Sequence, residues 1–177
     1  MQSNKDRHGL LMIYTGNGKG KTTAALGQML RAWGWDMKVV MFQFIKDTGL
    51  STGEHRAAKK MKLDIRPLGT GFTWDIKDKD KAEALAMEQW NYCKDAMTSG
   101  QFDMIVLDEV SYALNNSWIP LRQVVDTIEK RPPELHVVLT GRNIPAQLIE
   151  MADLVTEMKE IKHHYRSGIK AQRGIEY

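Results

Sequence analysis

Apolar residues in this sequence occur in short runs that alternate with segments of helical periodicity. The runs have the length and composition of strands covered on both faces. Spacings of three and four between apolar residues, as from Leu26 to Trp33, predict amphipathic helices. The predicted strands are residues 10–15, 39–45, 63–65, 104–108, 136–140 and 154–158. The predicted helix that contains Leu26 and Trp33 ends before Gly34. Further helices are predicted at residues 54–60, 78–99 and 145–151, and another begins at Pro120 and ends at the Pro132–Pro133 pair.

The alternation of strands and helices predicts the fold class. Strands that are joined through helices run parallel, and their connections are right-handed. We therefore expect an α/β protein, a three-layer sandwich with a mainly parallel central sheet, forming a single domain over residues 1–177. Residues 1–9 have no apolar periodicity and are expected to form a mobile arm. Residues 160–177 form a polar, basic tail that is either a lid or an interface.

Composition narrows the function only slightly. The 177 residues are 42% hydrophobic and carry a formal net charge of +3, which by itself does not indicate nucleic acid binding. The amino terminus is polar and no apolar run approaches the ~18 residues that cross a bilayer, so we expect a cytoplasmic protein without a membrane partner. The single cysteine, Cys93, fits a reducing compartment and is expected to be buried rather than nucleophilic.

A glycine-rich stretch follows the first strand, at residues 14–23 (YTGNGKGKTT, hereafter the phosphate loop). Strand, glycine-rich loop and helix are the parts of a P-loop, in which backbone N–H groups and a helix N-terminus surround phosphates. This predicts a P-loop NTPase (RecA-like) fold; the alternative interpretation is a flexible surface turn. Lys21 would neutralise phosphate charge and the Thr22 hydroxyl would ligate Mg²⁺. The usual pattern has glycine where Thr15 stands, so the loop is one residue short.

Two carboxylates, Asp108 and Glu109, directly follow a fully apolar strand. The carboxyl ends of parallel strands form the ligand-binding edge of an open sheet, so we expect both acids near the phosphate loop. In a P-loop protein this is the position of the acids that hold Mg²⁺ directly or through water.

Four other side chains have two interpretations each. Arg31 lies off the apolar stripe of the first helix, and Arg142 follows the strand at residues 136–140. Each arginine is either a solvated charge or a contact to the nucleotide. Phe72 and Trp74 lie in a glycine-rich loop, where large aromatic side chains either turn back onto the core or contact a ligand.

Taken together, these motifs resemble the P-loop corrinoid adenosyltransferases, the ATP:cob(I)alamin/cob(I)yrinic acid a,c-diamide adenosyltransferase family. The resemblance covers nearly the whole chain from residue 10 onward, and the short phosphate loop is a feature of this family. The matching stretches are YTGNGKGKTT (14–23), QFIK (43–46), GTGFTW (69–74), VLDE (106–109), TGR (140–142) and KAQRGIEY (170–177).

The resemblance implies transfer of the 5′-deoxyadenosyl group of ATP to Co(I) of a reduced corrinoid, with release of triphosphate. It implies ATP as co-substrate, Mg²⁺ or Mn²⁺, a flavin-dependent reductant protein and a homodimer. Asp108 would support the metal site. The implied catalytic residues are Lys21, Thr22 and Glu109, the metal ligands are Thr22 and Glu109, and the corrinoid contacts are Phe72 and Trp74. The implied ATP contacts are Gly16, Asn17, Gly18, Lys19, Gly20, Lys21, Thr22, Thr23, Arg31 and Arg142.

One feature departs from the family, and two other functions remain open at this stage. Better-known members carry a longer N-terminal extension over the active site, so here the corrinoid site would be closed less tightly or by the tail. An ordinary P-loop kinase or NTPase acting at the γ-phosphate would need a full-length loop. A RecA-like module binding nucleotide and nucleic acid would need a basic, aromatic-lined groove.

Overall fold

The computed structural model describes residues 8–47, 52–69 and 79–176, and in these residues six strands form one sheet. The strands are β1 (Leu11–Thr15), β2 (Val39–Asp47), β3 (Asp64–Gly69), β4 (Met104–Asp108), β5 (His136–Thr140) and β6 (Leu154–Glu157). Their order is β3-β2-β4-β5-β1-β6, and every neighbouring pair is parallel. The predicted α/β class with a parallel central sheet is confirmed.

Helices cover both faces of this sheet. They are α1 (Lys21–Trp33), α2 (Gly53–Met61), α3 (Lys79–Thr98), α4 (Val110–Asn115), α5 (Leu121–Glu129) and α6 (Ala146–Met151). Alternate residues of each strand point to opposite faces. Met104 and Val106 of β4 pack in a cluster with α1, whereas Ile105 and Leu107 pack in a second cluster with α3, α4, α5 and α6. Both faces are buried at the central strand β4, which is continuously apolar up to Asp108, whereas the edge strands β3 and β6 are more exposed and carry polar residues.

The edge strand β3 differs from its prediction. It continues through Pro67, Leu68 and Gly69, beyond the predicted strand at residues 63–65. Proline is tolerated because β3 is an edge strand, with β2 as its one neighbour in the sheet. Gly69 is needed at the end of β3, since an added Cβ would lie 2.5 Å from the carbonyl carbon of Ile45. The strand β3 is therefore longer than the strand that its apolar residues alone predicted.

Three smaller results complete the comparison with the predicted elements. The sequence pattern did not predict α4, a six-residue helix directly after β4. Gly9 falls within the predicted N-terminal arm but is buried, and its N–H donates to the carbonyl of Pro133 at 2.7 Å, while residues 1–7 lie outside the described residues. Cys93 is fully buried, and burial raises the pKa of its thiol, as expected for a packing residue.

Within the described ranges, no helix combines the length and apolar character required to cross a membrane.

Candidate active site

The phosphate loop lies at the carboxyl end of β1 and leads directly into α1. Gly16 and Gly20 have positive φ angles of 97° and 106°, a conformation that glycine adopts without strain. The Lys21 ammonium lies inside the turn and donates to the carbonyls of Gly16 at 3.0 Å and Gly18 at 2.9 Å. Burial lowers the pKa of Lys21, while the charge of Glu109 opposes this shift. The loop therefore holds a buried positive charge close to an acid from β4.

Asp108 connects the phosphate loop to the centre of the sheet. Its Oδ1 accepts hydrogen bonds from the Thr22 hydroxyl at 2.9 Å and from the Thr140 hydroxyl at 2.7 Å. Thr140 can reach it because β5 lies between β1 and β4. Oδ2 accepts from the side-chain amide of Gln43 at 3.1 Å. Asp108 is 1% exposed, so these three donors define its environment.

Glu109 has a different setting from its neighbour. Its φ of 58° is uncommon for a residue with a side chain, and its N–H donates to the Thr140 hydroxyl at 2.9 Å. Backbone strain of this kind persists where surrounding contacts enforce it and is frequent at functional sites. Burial raises the pKa of Glu109, the charge of Asp108 raises it further, and Lys21 and Arg142 lower it. Glu109 thus lies beside a second acid in a setting where burial, more than the charge of Asp108, disfavours its ionised form.

The arrangement fits a divalent cation bound together with phosphate. A hydroxyl has one proton and two lone pairs, and the Thr22 proton is directed to Asp108, so its lone pairs remain for a ligand. Glu109 supplies a second oxygen, and a nearby cation would favour its ionised form, which burial and Asp108 disfavour. Two oxygens of this kind are compatible with Mg²⁺, which is usually held by one or two carboxylates plus substrate phosphates. Among the described residues, no group of three or more His, Cys, Asp or Glu side chains could hold a metal.

Two residues of β2 belong to the site although the sequence pattern did not identify them as functional. Gln43 is fully buried and contacts Asp108. The Lys46 ammonium pairs with Glu54, and burial lowers the pKa of Lys46 while Asp108 and Glu109 oppose the shift. The available signal was a glutamine within an otherwise apolar run, because a polar residue buried in a strand needs a partner.

The remaining predicted contacts differ in their positions. Arg142 directly follows β5, and its charge acts on both Lys21 and Glu109. Arg31 lies in the last turn of α1, roughly 15 Å along the helix axis from Lys21, and is exposed with a hydrogen bond to Gln28. The structure therefore brings Arg142, but not Arg31, to the rim of the site. Phe72 and Trp74 lie outside the described residues.

The chain after β6 (residues 158–176, hereafter the C-terminal segment) contacts the phosphate loop. The N–H of Gly18 donates to the carbonyl of Met158 at 2.7 Å. Near the other end of the segment, Glu176 forms an ion pair with Lys19 at 3.0 Å, and its Oε1 lies 2.8 Å from Nε2 of His164. The segment thus covers part of the loop, and its last described residue neutralises one of the loop lysines.

A cavity of about 420 Å³ lies elsewhere, at the amino ends of β2 and β3. It is lined by Trp33, Lys38, Lys62, Asp64 and Phe102, among others. Ligands of open parallel sheets bind at the carboxyl ends of strands, and the phosphate loop and both acids lie at that edge. The candidate active site is therefore the edge with the phosphate loop.

Comparison with known proteins agrees with this geometry. A profile of the family described as ATP:corrinoid adenosyltransferase BtuR/CobO/CobP matches residues 7–177. The corrinoid adenosyltransferase of Escherichia coli (strain K12) is 38% identical over 173 residues, covering 98% of this chain and 88% of the relative. A corrinoid adenosyltransferase of Sinorhizobium sp is 41% identical over 181 residues, covering 100% of this chain and 84% of the relative. The chain belongs to the ATP:corrinoid adenosyltransferase family.

Proposed function

We propose that the protein transfers the 5′-deoxyadenosyl group of ATP to Co(I) of a reduced corrinoid and that the site at the β1 and β4 edge holds the triphosphate. Membership of the family makes the protein an ATP:corrinoid adenosyltransferase and does not favour a conventional kinase or NTPase. The observation that carries the residue assignment is the 2.9 Å hydrogen bond from Thr22 to Asp108. It joins the phosphate-binding and acidic parts of the site directly.

The chemistry places little demand on side-chain bases. Co(I) donates an electron pair to C5′ of the ribose, the C5′–O bond breaks, and the triphosphate leaves with the bonding electrons. Negative charge therefore grows on the triphosphate in the transition state. Lys21, buried under the loop, is fixed in place before the reaction, and preorganised charges of this kind stabilise a developing anion. Lys19 and Arg142 lie at the rim and would add positive charge there.

The divalent cation that accompanies ATP, Mg²⁺ or Mn²⁺, would neutralise part of the triphosphate charge. Thr22 and Glu109 are the proposed ligands. Asp108 accepts a hydrogen bond from the Thr22 hydroxyl and so leaves the lone pairs of the hydroxyl oxygen directed toward the bound group. The backbone N–H groups of the loop and the start of α1 would complete the phosphate site.

The corrinoid side of the site is proposed from the family motif. Phe72 and Trp74 would lie against the corrin ring and exclude water and the lower axial ligand of Co(II), which makes reduction to Co(I) easier. A flavin-dependent protein would supply the electron, and the cytoplasm would supply ATP and reducing conditions.

We also propose a homodimer, for which sedimentation should give twice the mass of the chain.

The function can be tested with protein, MgATP and chemically generated cob(I)alamin under anaerobic conditions. Loss of the Co(I) spectrum, formation of a light-sensitive alkylcobalamin and stoichiometric release of intact triphosphate are expected. An unchanged spectrum, with ADP and phosphate as products, would instead show conventional P-loop chemistry. Repeating the assay with Mg²⁺ omitted tests the cation requirement.

A substitution in the aromatic box separates reduction from transfer. We predict that Trp74→Ala leaves the rate from chemically reduced Co(I) nearly unchanged but slows the reaction that starts from Co(II) and a weak reductant by about tenfold or more. Both rates are read from the alkylcobalamin spectrum. Equal losses in the two assays would contradict the assigned role of Trp74.

A further inference from the structure

A chain of buried and partly buried hydrogen bonds reaches Asp108 from α2, on the side away from Thr22. The Oδ2 atom of Asp108 accepts from the Gln43 amide at 3.1 Å. The other side-chain atom of that amide, Oε1, lies 2.7 Å from Nε2 of His55. Nδ1 of the same imidazole lies 3.2 Å from the hydroxyl of Thr52. Four side chains are thus connected in series.

The partners determine the direction of the two hydrogen bonds nearest to Asp108. A carboxylate only accepts, so the NH₂ group of Gln43 faces Asp108 and its carbonyl oxygen faces His55. Nε2 of His55 must then carry a proton. On the other side of the ring, Nδ1 contacts the Thr52 hydroxyl, which can either donate or accept. The side-chain donors of His55 and Gln43 therefore both point toward Asp108.

Burial fixes this arrangement. Gln43 is 0% exposed, and Thr52 is 7% exposed. A buried amide that rotated by half a turn would place its carbonyl against the Asp108 carboxylate and its NH₂ against the Nε2 proton of His55. Both contacts would become repulsive, so His55 and Asp108 together hold Gln43 in one orientation, and Gln43 in turn restrains the Asp108 carboxylate.

We propose that His55, acting through Gln43, is a positioning residue for the divalent cation that binds with ATP. The inference rests on the proposed function, because that cation is the one held by Thr22 and Glu109. Asp108 orients the Thr22 hydroxyl, and outer partners of this kind commonly change metal affinity by about tenfold or more. The affinity for ATP without metal depends on the phosphate loop and should not depend on His55.

Two substitutions of His55 form a matched pair. His55→Gln places an amide nitrogen at the level of Nε2 and keeps the donor to Gln43. His55→Asn places its amide nearer the backbone, at the level of Nδ1, and removes that donor. The measurement is ATP binding by calorimetry without corrinoid, in the chelator EDTA and across a Mg²⁺ titration.

We expect His55→Asn to weaken Mg²⁺-dependent ATP binding about tenfold while metal-free ATP binding changes less than about twofold. His55→Gln should restore most of the loss. Thr52→Val, which removes the hydroxyl that contacts Nδ1, should act in the same direction with a smaller effect, and it decides the question if His55→Asn does not fold.

Three results would overturn the proposal: equal weakening with and without Mg²⁺, no weakening in either condition, or His55→Gln behaving like His55→Asn. A wild-type protein whose ATP affinity does not respond to Mg²⁺ would also overturn it. Release of triphosphate by the wild type is measured separately. An active wild type combined with an unaltered His55→Asn would therefore reject this inference and leave the proposed function standing.

Discussion

The phosphate loop is contacted by two parts of the molecule that use different interactions. At the carboxyl end of the central strand β4, Asp108 accepts a hydrogen bond of 2.9 Å from the Thr22 hydroxyl, and Asp108 is 1% exposed. From the C-terminal segment, Glu176 binds Lys19 through an ion pair of 3.0 Å, and the Lys19 side chain is 44% exposed. Both contacts join an acid to the loop, but one is shielded from water and the other is not.

The difference shows which contact defines the site. A hydrogen bond to a buried charge contributes about 1.5–3 kcal/mol, and losing one partner leaves the other unsatisfied. An exposed ion pair contributes little and is screened by salt. The buried hydrogen bond of Thr22 therefore holds the loop more strongly than the ion pair of Lys19 does. Lys19 can leave that ion pair for a phosphate at little cost in stability.

The two loop lysines provide the largest test of this contrast. Lys21→Met should reduce adenosyl transfer by about a hundredfold to a thousandfold, because a preorganised buried charge is lost. Lys19→Met should reduce it by less than about tenfold, because its charge is exposed and screened. Rates are measured with excess Co(I) and ATP, and unchanged Tm values show that both variants fold. Similar losses in the two variants would contradict the distinction between buried and exposed support.

Asp108→Asn should have the next largest effect. Its three partners, Thr22, Thr140 and Gln43, all donate hydrogen bonds to Asp108, so an asparagine NH₂ would face at least one of these donors. One or more buried groups would be unsatisfied, which costs about 1–3 kcal/mol and lowers Tm by about 2–4 °C per kcal/mol. Thermal unfolding without ligands measures this. A variant as stable as the wild type would show that the carboxylate is not what organises these donors.

Glu109→Gln should lose activity but gain stability. The pKa of Glu109 is raised by burial and by Asp108, so the folded chain binds this proton more tightly than the unfolded chain. Stability from this group is therefore lost as pH rises from the ordinary value of 4.5 through the folded pKa, and the loss persists above it. The Tm advantage of Glu109→Gln should be absent in acid and grow with pH to a plateau. Metal-free protein is needed, and an advantage independent of pH would contradict this cause.

Glu176→Gln should have the smallest effect. Removal of the carboxylate frees Lys19 from its ion pair, so ATP should bind about twofold to threefold more tightly at low salt and equally well at high salt. Calorimetry at two salt concentrations measures the difference. Weaker ATP binding would indicate that Glu176 supports the nucleotide instead of competing with it.

The sequence predicted the elements whose residues carry their own signal. Continuous apolar runs predicted the central strands, and motifs at the ends of strands predicted that Lys21 and Asp108 belong to the site. The sequence could not show that His55 contacts Gln43 and is connected through it to Asp108. Those contacts depend on β2 lying beside β4 and on α2 returning over β2. It also missed α4, which is short and begins after a residue with positive φ, without a side-chain cap. Local signals thus predict elements, while contacts between distant segments require the topology.

The position of β1 has a consequence for how the protein is made. This first strand pairs with β5 on one side and β6 on the other, so both neighbours come late in the chain. A ribosome adds about 5–20 residues per second, so the 121 residues from Gly16 to His136 take about 6–24 s. During that time neither partner strand of β1 has been completed. A ligand that binds at the phosphate loop of the folded protein can therefore stabilise only chains in which β5 and β6 have been made.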